Sequence, residues 1–180
     1  MQLQFIIMLA EAFVILLELR ALIQSSNIDY YHPVTQAVVK LTEPVIKFLP
    51  FRNYNIKGFY LCGIAVAFVI ALAFSAVFFT YFGHMFAPGL ILTFALCMTL
   101  KSFGYLILFL LLAQALTSWL PSTRQWSYMC GLLTYPIVRP VQKIIPPIGM
   151  IDISLMIVML AIFALNSLFL RIFGAVWMAL

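Results

Sequence analysis

Long apolar runs alternate along this chain with two stretches in which apolar and polar positions interleave at helical spacing. Runs 3–23, 58–82 and 153–172 each meet the roughly 20 apolar residues that a membrane helix needs. Run 88–120 is harder to count. As one helix it would extend about 50 Å, against a hydrocarbon core of about 30 Å. As two spans, divided at Lys101–Gly104, each piece would be too short. Between the runs, residues 33–49 place Val34, Val38, Leu41, Val45 and Phe48 on one helical face and Gln36, Lys40, Glu43 and Lys47 on the other. Residues 124–143 do the same with Trp126, Met129, Leu133, Ile137 and Val141, and set Arg139 and Lys143 one turn apart. Pro33 suits a first helical position. Pro44 and Pro136 are expected to break or kink their helices at matching points.

This order occurs twice. Thr42-Glu43-Pro44-Val45-Ile46-Lys47 is matched by Thr134-Tyr135-Pro136-Ile137-Val138-Arg139, 92 residues later. Ala21-Leu22, at the end of the first run, is matched by Ala115-Leu116, 94 residues later. The unit is helix, amphipathic proline-bearing segment, helix. It predicts a first repeat over 1–83, with spans 3–23 and 58–82, and an inter-repeat segment over 84–96. A second repeat over 97–180 follows, with spans 97–120 and 153–172. In the second span, Gly63, Ala67, Ala71 and Ser75 recur every fourth residue, a row that lets helix backbones approach closely.

Composition fixes the class and charge fixes the orientation. Hydrophobic residues are 66% of the chain and charged residues 8%, with a mean hydropathy of +1.14. A soluble domain carries roughly a quarter charged residues, so the chain reads as an all-α, multi-pass membrane protein. The connection 25–57 holds Lys40, Lys47, Arg52 and Lys57, and the connection 121–151 holds Arg124, Arg139 and Lys143. Positive-inside reasoning puts both in the cytoplasm. An even number of spans must then separate them, so 88–120 crosses once, from about Cys97, with its first part at the outer interface. Four spans result, in two parallel repeats, with both termini outside. The first run has no basic leader and no cleavage pattern, and is expected to remain as a helix. The net charge of +5 follows from this topology and does not imply nucleic acid.

The second connection ends in Ile144-Ile145-Pro146-Pro147-Ile148-Gly149-Met150-Ile151-Asp152, a stiff turn with Asp152 placed to cap the last span. This turn, the Thr-x-Pro-hydrophobic-hydrophobic-basic motifs and Arg139-Pro140 together resemble the YGGT family of bacterial and plastid membrane proteins. Tyr30-Tyr31-His32-Pro33 and Val38-Val39-Lys40-Leu41-Thr42-Glu43-Pro44-Val45 are similar to its gammaproteobacterial members, and the likeness covers almost the whole chain. The resemblance implies a bacterial inner-membrane protein linked to osmotic or extracytoplasmic stress. Plastid members are linked to cytochrome haem attachment and nucleoid organisation. It supplies no catalytic residue to carry over.

Charges within the spans are the best functional pointers, because each costs roughly 2.5–3.5 kcal/mol at a helix centre on insertion scales. Glu11 stands mid-span, Glu18 and Arg20 near the cytoplasmic end of the first span, and Lys101 near the outer end of the third. Glu11 and Lys101 are expected to pair, either as a neutralised structural link or as part of a proton or cation site. Asn166 is expected to make a helix–helix hydrogen bond. No phosphate loop, metal cluster or nucleophile motif appears. The three cysteines are far apart, and His32 and His84 sit at opposite interfaces. The expectation is therefore a non-enzymatic protein without a cofactor, touching the bilayer and anionic headgroups, and acting through a homo-oligomer or membrane-protein partners. A small ion transporter or channel subunit, or a cytochrome/haem assembly factor, is the alternative.

Overall fold

The computed structural model describes residues 2–26, 28, 32–47, 61–81, 87–145 and 152–180. These form seven α-helices: α1 Gln2–Ser25, α2 Pro33–Ile46, α3 Leu61–Tyr81, α4 Pro88–Ser118, α5 Arg124–Gln142, α6 Ile153–Phe173 and α7 Ala175–Ala179. Among the described residues, three helices are long and apolar enough to cross a membrane, namely α3 (over Gly63–Tyr81), α4 and α6. α1 stands apart by charge. Every 18-residue stretch of it from Gln4 onward contains Glu11, Glu18 and Arg20 together.

The third run is one unbroken helix. α4 begins at Pro88, not near Cys97, and so takes in the residues expected to form an interfacial segment. Pro88 needs no amide hydrogen there, and the Leu90 and Ile91 amides both close onto the Ala87 carbonyl. The early start moves Lys101 from the outer end of its helix to near the middle. At about 1.5 Å per residue, α4 is about 46 Å long, more than a hydrocarbon core.

α2 and α5 form where the helical spacing predicts, and both run through their prolines without breaking. Pro44, Pro136 and Pro140 are exposed, so the hydrogen bond each ring removes is lost on the side away from packing. The buried face of α2 is rotated from the expected one: Thr35, Val38, Thr42 and Ile46 face inward, whereas Leu41 is 58% exposed. In α5, Met129, Leu133, Thr134 and Val138 are buried and Trp126 is exposed. The Thr42 and Thr134 hydroxyls are bonded to their own helix and to a neighbour, which lets them occupy buried positions that apolar periodicity alone misplaces. The buried Thr35 hydroxyl, by contrast, has no hydrogen-bond partner. Phe48 and Leu49 lie outside the described residues.

The chain packs as two compact units. One comprises Met1–Phe103 with Phe173–Leu180, and the other Gly104–Ile172. The border falls inside α4, whereas the sequence repeats divide at 84–96.

The core of the first unit is Val14 and Leu17 of α1, Ile46 of α2, Val66, Ala67 and Ala71 of α3, and Phe94, Ala95 and Met98 of α4. The row from the second span is its narrowest seam. Gly63, Ala67, Ala71 and Ser75 are buried, while Ala65, Val69, Ala73 and Val77, half a turn away, are exposed. A Cβ built on Gly63 would sit 2.6 Å from the Ala21 Cβ and 3.1 Å from the Ala21 Cα, so α1 and α3 meet almost backbone to backbone. Lower on the seam, the Ser75 hydroxyl donates to the Ile91 carbonyl of α4 at 3.2 Å, and Phe94 stacks on Phe78 with ring centroids 6.0 Å apart. Gly174, at φ +50°, ends α6 and turns the chain into α7. Val176 and Leu180 then pack on this core.

In the second unit, the buried apolar residues are Leu106, Ile107, Leu110 and Leu111 of α4, Met129, Leu133 and Val138 of α5, and Leu155 and Val158 of α6. Beyond Val158, α6 is largely exposed along an apolar face that includes Leu160, Phe163, Leu168 and Ile172.

Candidate functional site: polar groups among apolar helices

The first buried polar group begins with the Thr-x-Pro motif of α2. His32 caps this helix, its Nδ1 accepting from the Val34 amide at 3.4 Å. One helical turn before Ile46, the Thr42 hydroxyl donates back to the Val38 carbonyl at 2.6 Å. Its lone pairs remain for a donor from α1, and Arg20 supplies it. Arg20 is only 3% exposed; its Nη1 donates to Thr42 Oγ1 at 2.8 Å and to the Val39 carbonyl at 3.3 Å. Its Nη2 donates to Glu43 Oε2 at 2.8 Å, making an ion pair. The planar guanidinium thus reads a backbone carbonyl, a hydroxyl and a carboxylate at once, which a lysine's single ammonium could not do in this geometry. Its Nε is buried without a partner.

The second unit carries a similar group in neutral form. Thr134 Oγ1 lies 2.9 Å from Gln114 Oε1 and 3.0 Å from the Cys130 carbonyl. The Ser127 hydroxyl donates to the Gln114 carbonyl at 3.3 Å. Gly131 leaves room for the amide, since a Cβ there would lie 3.2 Å from Gln114 Nε2. Burial pushes the Cys130 thiol up from its ordinary range, which disfavours a reactive thiolate. Arg139 is exposed and lies over the Tyr135 ring, 5.3 Å from its centroid. Lys47, like Lys40, Arg124 and Lys143, is exposed.

Asp152 joins the end of α5 to the start of α6. Its Oδ1 accepts from the Ser154 amide at 2.9 Å, and its Oδ2 from Gln142 Nε2 at 2.8 Å. The Ser154 hydroxyl reaches back to the Ile145 carbonyl at 2.8 Å. An N-cap of this kind is worth about 1 kcal/mol. Asp152→Ala is expected to cost about that much, with Asp152→Asn losing less, measured as urea or thermal unfolding in detergent. Pro146, Pro147 and Gly149 lie outside the described residues, as do Lys57 and His84.

Two carboxylates and a lysine complete the interior of the first unit. Glu18 is fully buried, and the Ser102 hydroxyl lies 2.8 Å from its Oε1. Glu11 is partly buried, with Oε1 enclosed and lacking a hydrogen-bond partner. Glu11 and Lys101 are close enough for each to feel the other's charge. The Lys101 ammonium also donates to the Trp177 carbonyl at 2.9 Å and lies 5.7 Å from the centroid of that ring. A cation on a carbonyl of the last turn of α7 satisfies a group that the helix leaves open. Among the described residues, no cluster of His, Cys, Asp or Glu fits a metal ion.

The structure thus brings Arg20 to Thr42 and Glu11 near Lys101, while Glu18 goes to Ser102 and not to a cation. Sequence reasoning missed Gln114, Ser102 and Trp177. Gln114 had a signal, because it stands 94 residues after Arg20, the same offset as the Ala-Leu pairs. Ser102 and Trp177 had none, since their roles arise from tertiary contact.

Several long apolar helices, three of them among the described residues long enough to cross a membrane, define an integral membrane protein of the α-helical, multi-pass class. Residues 93–173 match the family model described as CCB3/YggT. A Haemophilus influenzae (strain Rd) protein described as uncharacterized is 32% identical over 164 residues, covering 91% of this chain and 88% of its own. The "Uncharacterized protein YggT" of Escherichia coli K12 is 30% identical over 161 residues, covering 87% and 82%. A Vibrio alginolyticus protein, described by its place in the proC 3' region, is 28% identical over 177 residues, covering 96% and 95%. No solved structure gives a significant match. The chain belongs to the CCB3/YggT family.

Proposed function

We propose that the chain is a non-enzymatic, four-span protein of the bacterial inner membrane that acts by assembly, with itself or with other membrane proteins, in osmotic or extracytoplasmic stress tolerance. α1 is the fourth span. Its charges are tolerable in lipid because Arg20 and Glu18 turn inward and find protein partners. The observation that carries the reading is where the interior polar side chains go. Arg20 and Gln114 each hold the threonine of a Thr-x-Pro helix, as expected of two parallel repeats whose polar groups build architecture. The exposed basic residues Lys40, Lys47, Arg124, Arg139 and Lys143 suit anionic headgroups, at about 1 kcal/mol each near a charged leaflet. The exposed apolar face of α6 is left for lipid or for a neighbouring protein.

Reporter fusions after Arg52 and after Ser122 are expected to read as cytoplasmic, and fusions at His84 and at the C-terminus as periplasmic. A cytoplasmic C-terminus would end the four-span, parallel-repeat reading. For function, a strain lacking the protein should lose growth under osmotic shock. The native chain should restore growth, and purified protein in proteoliposomes should pass no ions. Ion flux from the purified chain would favour a small transporter or channel subunit instead.

A further inference from the structure

Among the described residues, Glu18 is the most enclosed carboxyl group. It is 0% exposed, and its Oε2 is buried without a hydrogen-bond partner. The charged groups on the elements around it are directed elsewhere. On α1, Arg20 turns to Thr42 and Glu43, and Glu11 lies two turns away, within the field of Lys101. On α4, the Lys101 ammonium donates to the Trp177 carbonyl. On α2, Lys40 and Lys47 are exposed and Glu43 holds Arg20. The described parts of α3 and α7 carry no Asp, Glu, Lys, Arg or His; besides Lys101, the titratable groups on α3 and α4 are Cys62, Tyr81 at the far end of α3, the Cys97 thiol and the exposed Tyr105. Ser102 is left as the polar partner of Glu18.

The geometry at Ser102 bears on the state of the carboxyl. Its hydroxyl has one proton and two oxygen neighbours, Glu18 Oε1 at 2.8 Å and the Thr99 carbonyl at 3.0 Å. If Glu18 is ionised, both neighbours are acceptors competing for that proton. If Glu18 is an acid, its O–H donates to Ser102 Oγ, Ser102 donates to Thr99, and both contacts are full hydrogen bonds. Thr42 already works this way: its hydroxyl accepts a hydrogen bond from Arg20 Nη1 and donates one to the Val38 carbonyl. An anion at Glu18 would sit buried with a single hydroxyl donor, the arrangement that buried charges avoid.

We propose that Glu18 and Ser102 form a proton-binding site within the first unit, holding one proton at neutral pH and releasing it under alkaline conditions. This goes beyond the assembly role and does not depend on it. Loss of the proton leaves a fully buried carboxylate with one oxygen unpartnered. The folded state keeps a proton that a solvent-exposed glutamate has already given up. The site's contribution to stability is therefore complete at acid pH and is lost as pH rises through the point at which folded Glu18 ionises.

The test is infrared and carbon-13 spectroscopy of the full chain, labelled at its glutamate carboxyls, in nanodiscs of phosphatidylethanolamine and phosphatidylglycerol. There are three glutamates, Glu11, Glu18 and Glu43. One is expected to show the acid carbonyl band at neutral pH and to lose it on alkaline titration. The band should vanish in Glu18→Gln, move to higher frequency in Ser102→Ala as its hydrogen bond is lost, and persist in Glu11→Gln. The amide of Glu18→Gln donates to Ser102 as the acid does, so that variant should fold, with a melting temperature that falls less at alkaline pH than the native protein's. Should it not fold, the native titration and Ser102→Ala still decide. Spectra containing only carboxylate at neutral pH would overturn the proposal; Ser102 would then share its proton, as Ser75 does between the Leu72 and Ile91 carbonyls. An acid band that survives Glu18→Gln, or that is unmoved by Ser102→Ala, would overturn it too.

Discussion

Gly63→Val should be among the most damaging single substitutions in the chain, with Gly63→Ala milder but clearly destabilising. The first added carbon would lie 2.6 Å from the Ala21 Cβ, and the next atoms behind it are Ala21 backbone. No flexible side chain end is there to yield, so α1 and α3 must move apart. Between membrane helices there is no large hydrophobic force to compensate, because lipid tails are as apolar as the residues they replace; contact area is what holds the pair. Overpacking of this kind costs about 1–3 kcal/mol, and a valine belongs at the upper end. Ala67→Leu and Ala71→Leu should fall in the same range. Ala65→Leu, on the exposed side of α3, should stay within about 0.5 kcal/mol. Thermal unfolding in detergent separates these outcomes. Equal midpoints for Ala67→Leu and Ala65→Leu would show that the seam does not hold the helices.

The second large effect concerns Arg20. Arg20→Met removes the cation from Glu43 and both inward donors from Thr42 and Val39. Breaking a buried pair by deleting one partner costs about 3–5 kcal/mol, because the other charge is stranded. Glu43 is 35% exposed and can rehydrate, so a loss of about 2–3 kcal/mol is expected. The double change with Glu43→Gln should recover part of it. Arg20→Lys keeps the charge but loses the fork, and should fall between. Gln114→Leu offers the neutral comparison: it costs a hydrogen bond, about 1 kcal/mol, with no charge left behind. If Arg20→Met and Gln114→Leu proved equally mild, the ion pair would be dispensable and α2 would be held by packing alone.

Helix positions were legible where a physical period or a charge rule speaks directly. Apolar length marked α3 and α6, and helical spacing marked α2 and α5. Asp152 was legible as a cap because its role is local, decided by the two residues that follow. The start of α4 was not legible. Residues 88–96 are apolar without being distinctive, and the argument from bilayer thickness favoured a shorter helix than the one that forms. The inward face of α2 was misplaced because Thr35 and Thr42 count as polar in a periodicity but are buried here. Glu11 and Lys101 could be linked because opposite charges in lipid must be accounted for. The Ser102 partner of Glu18 could not, since a serine in an apolar run carries no sign of which helix it faces.

The return of α7 to the first unit has a consequence for how the chain matures. Val176 and Leu180 pack on a core otherwise drawn from α1 to α4, and the Lys101 ammonium donates to the Trp177 carbonyl of α7. Chains are made and inserted from the N-terminus, and units that have emerged begin to fold first. Here the packing of the earliest part of the chain is not complete until residues beyond Gly174 have arrived, so the residues of the second unit are made before the first is sealed. A nascent chain halted after α6 would present an open α1–α3–α4 core, with the Lys101 ammonium not yet bound to that carbonyl, to whatever insertion factors stand beside it.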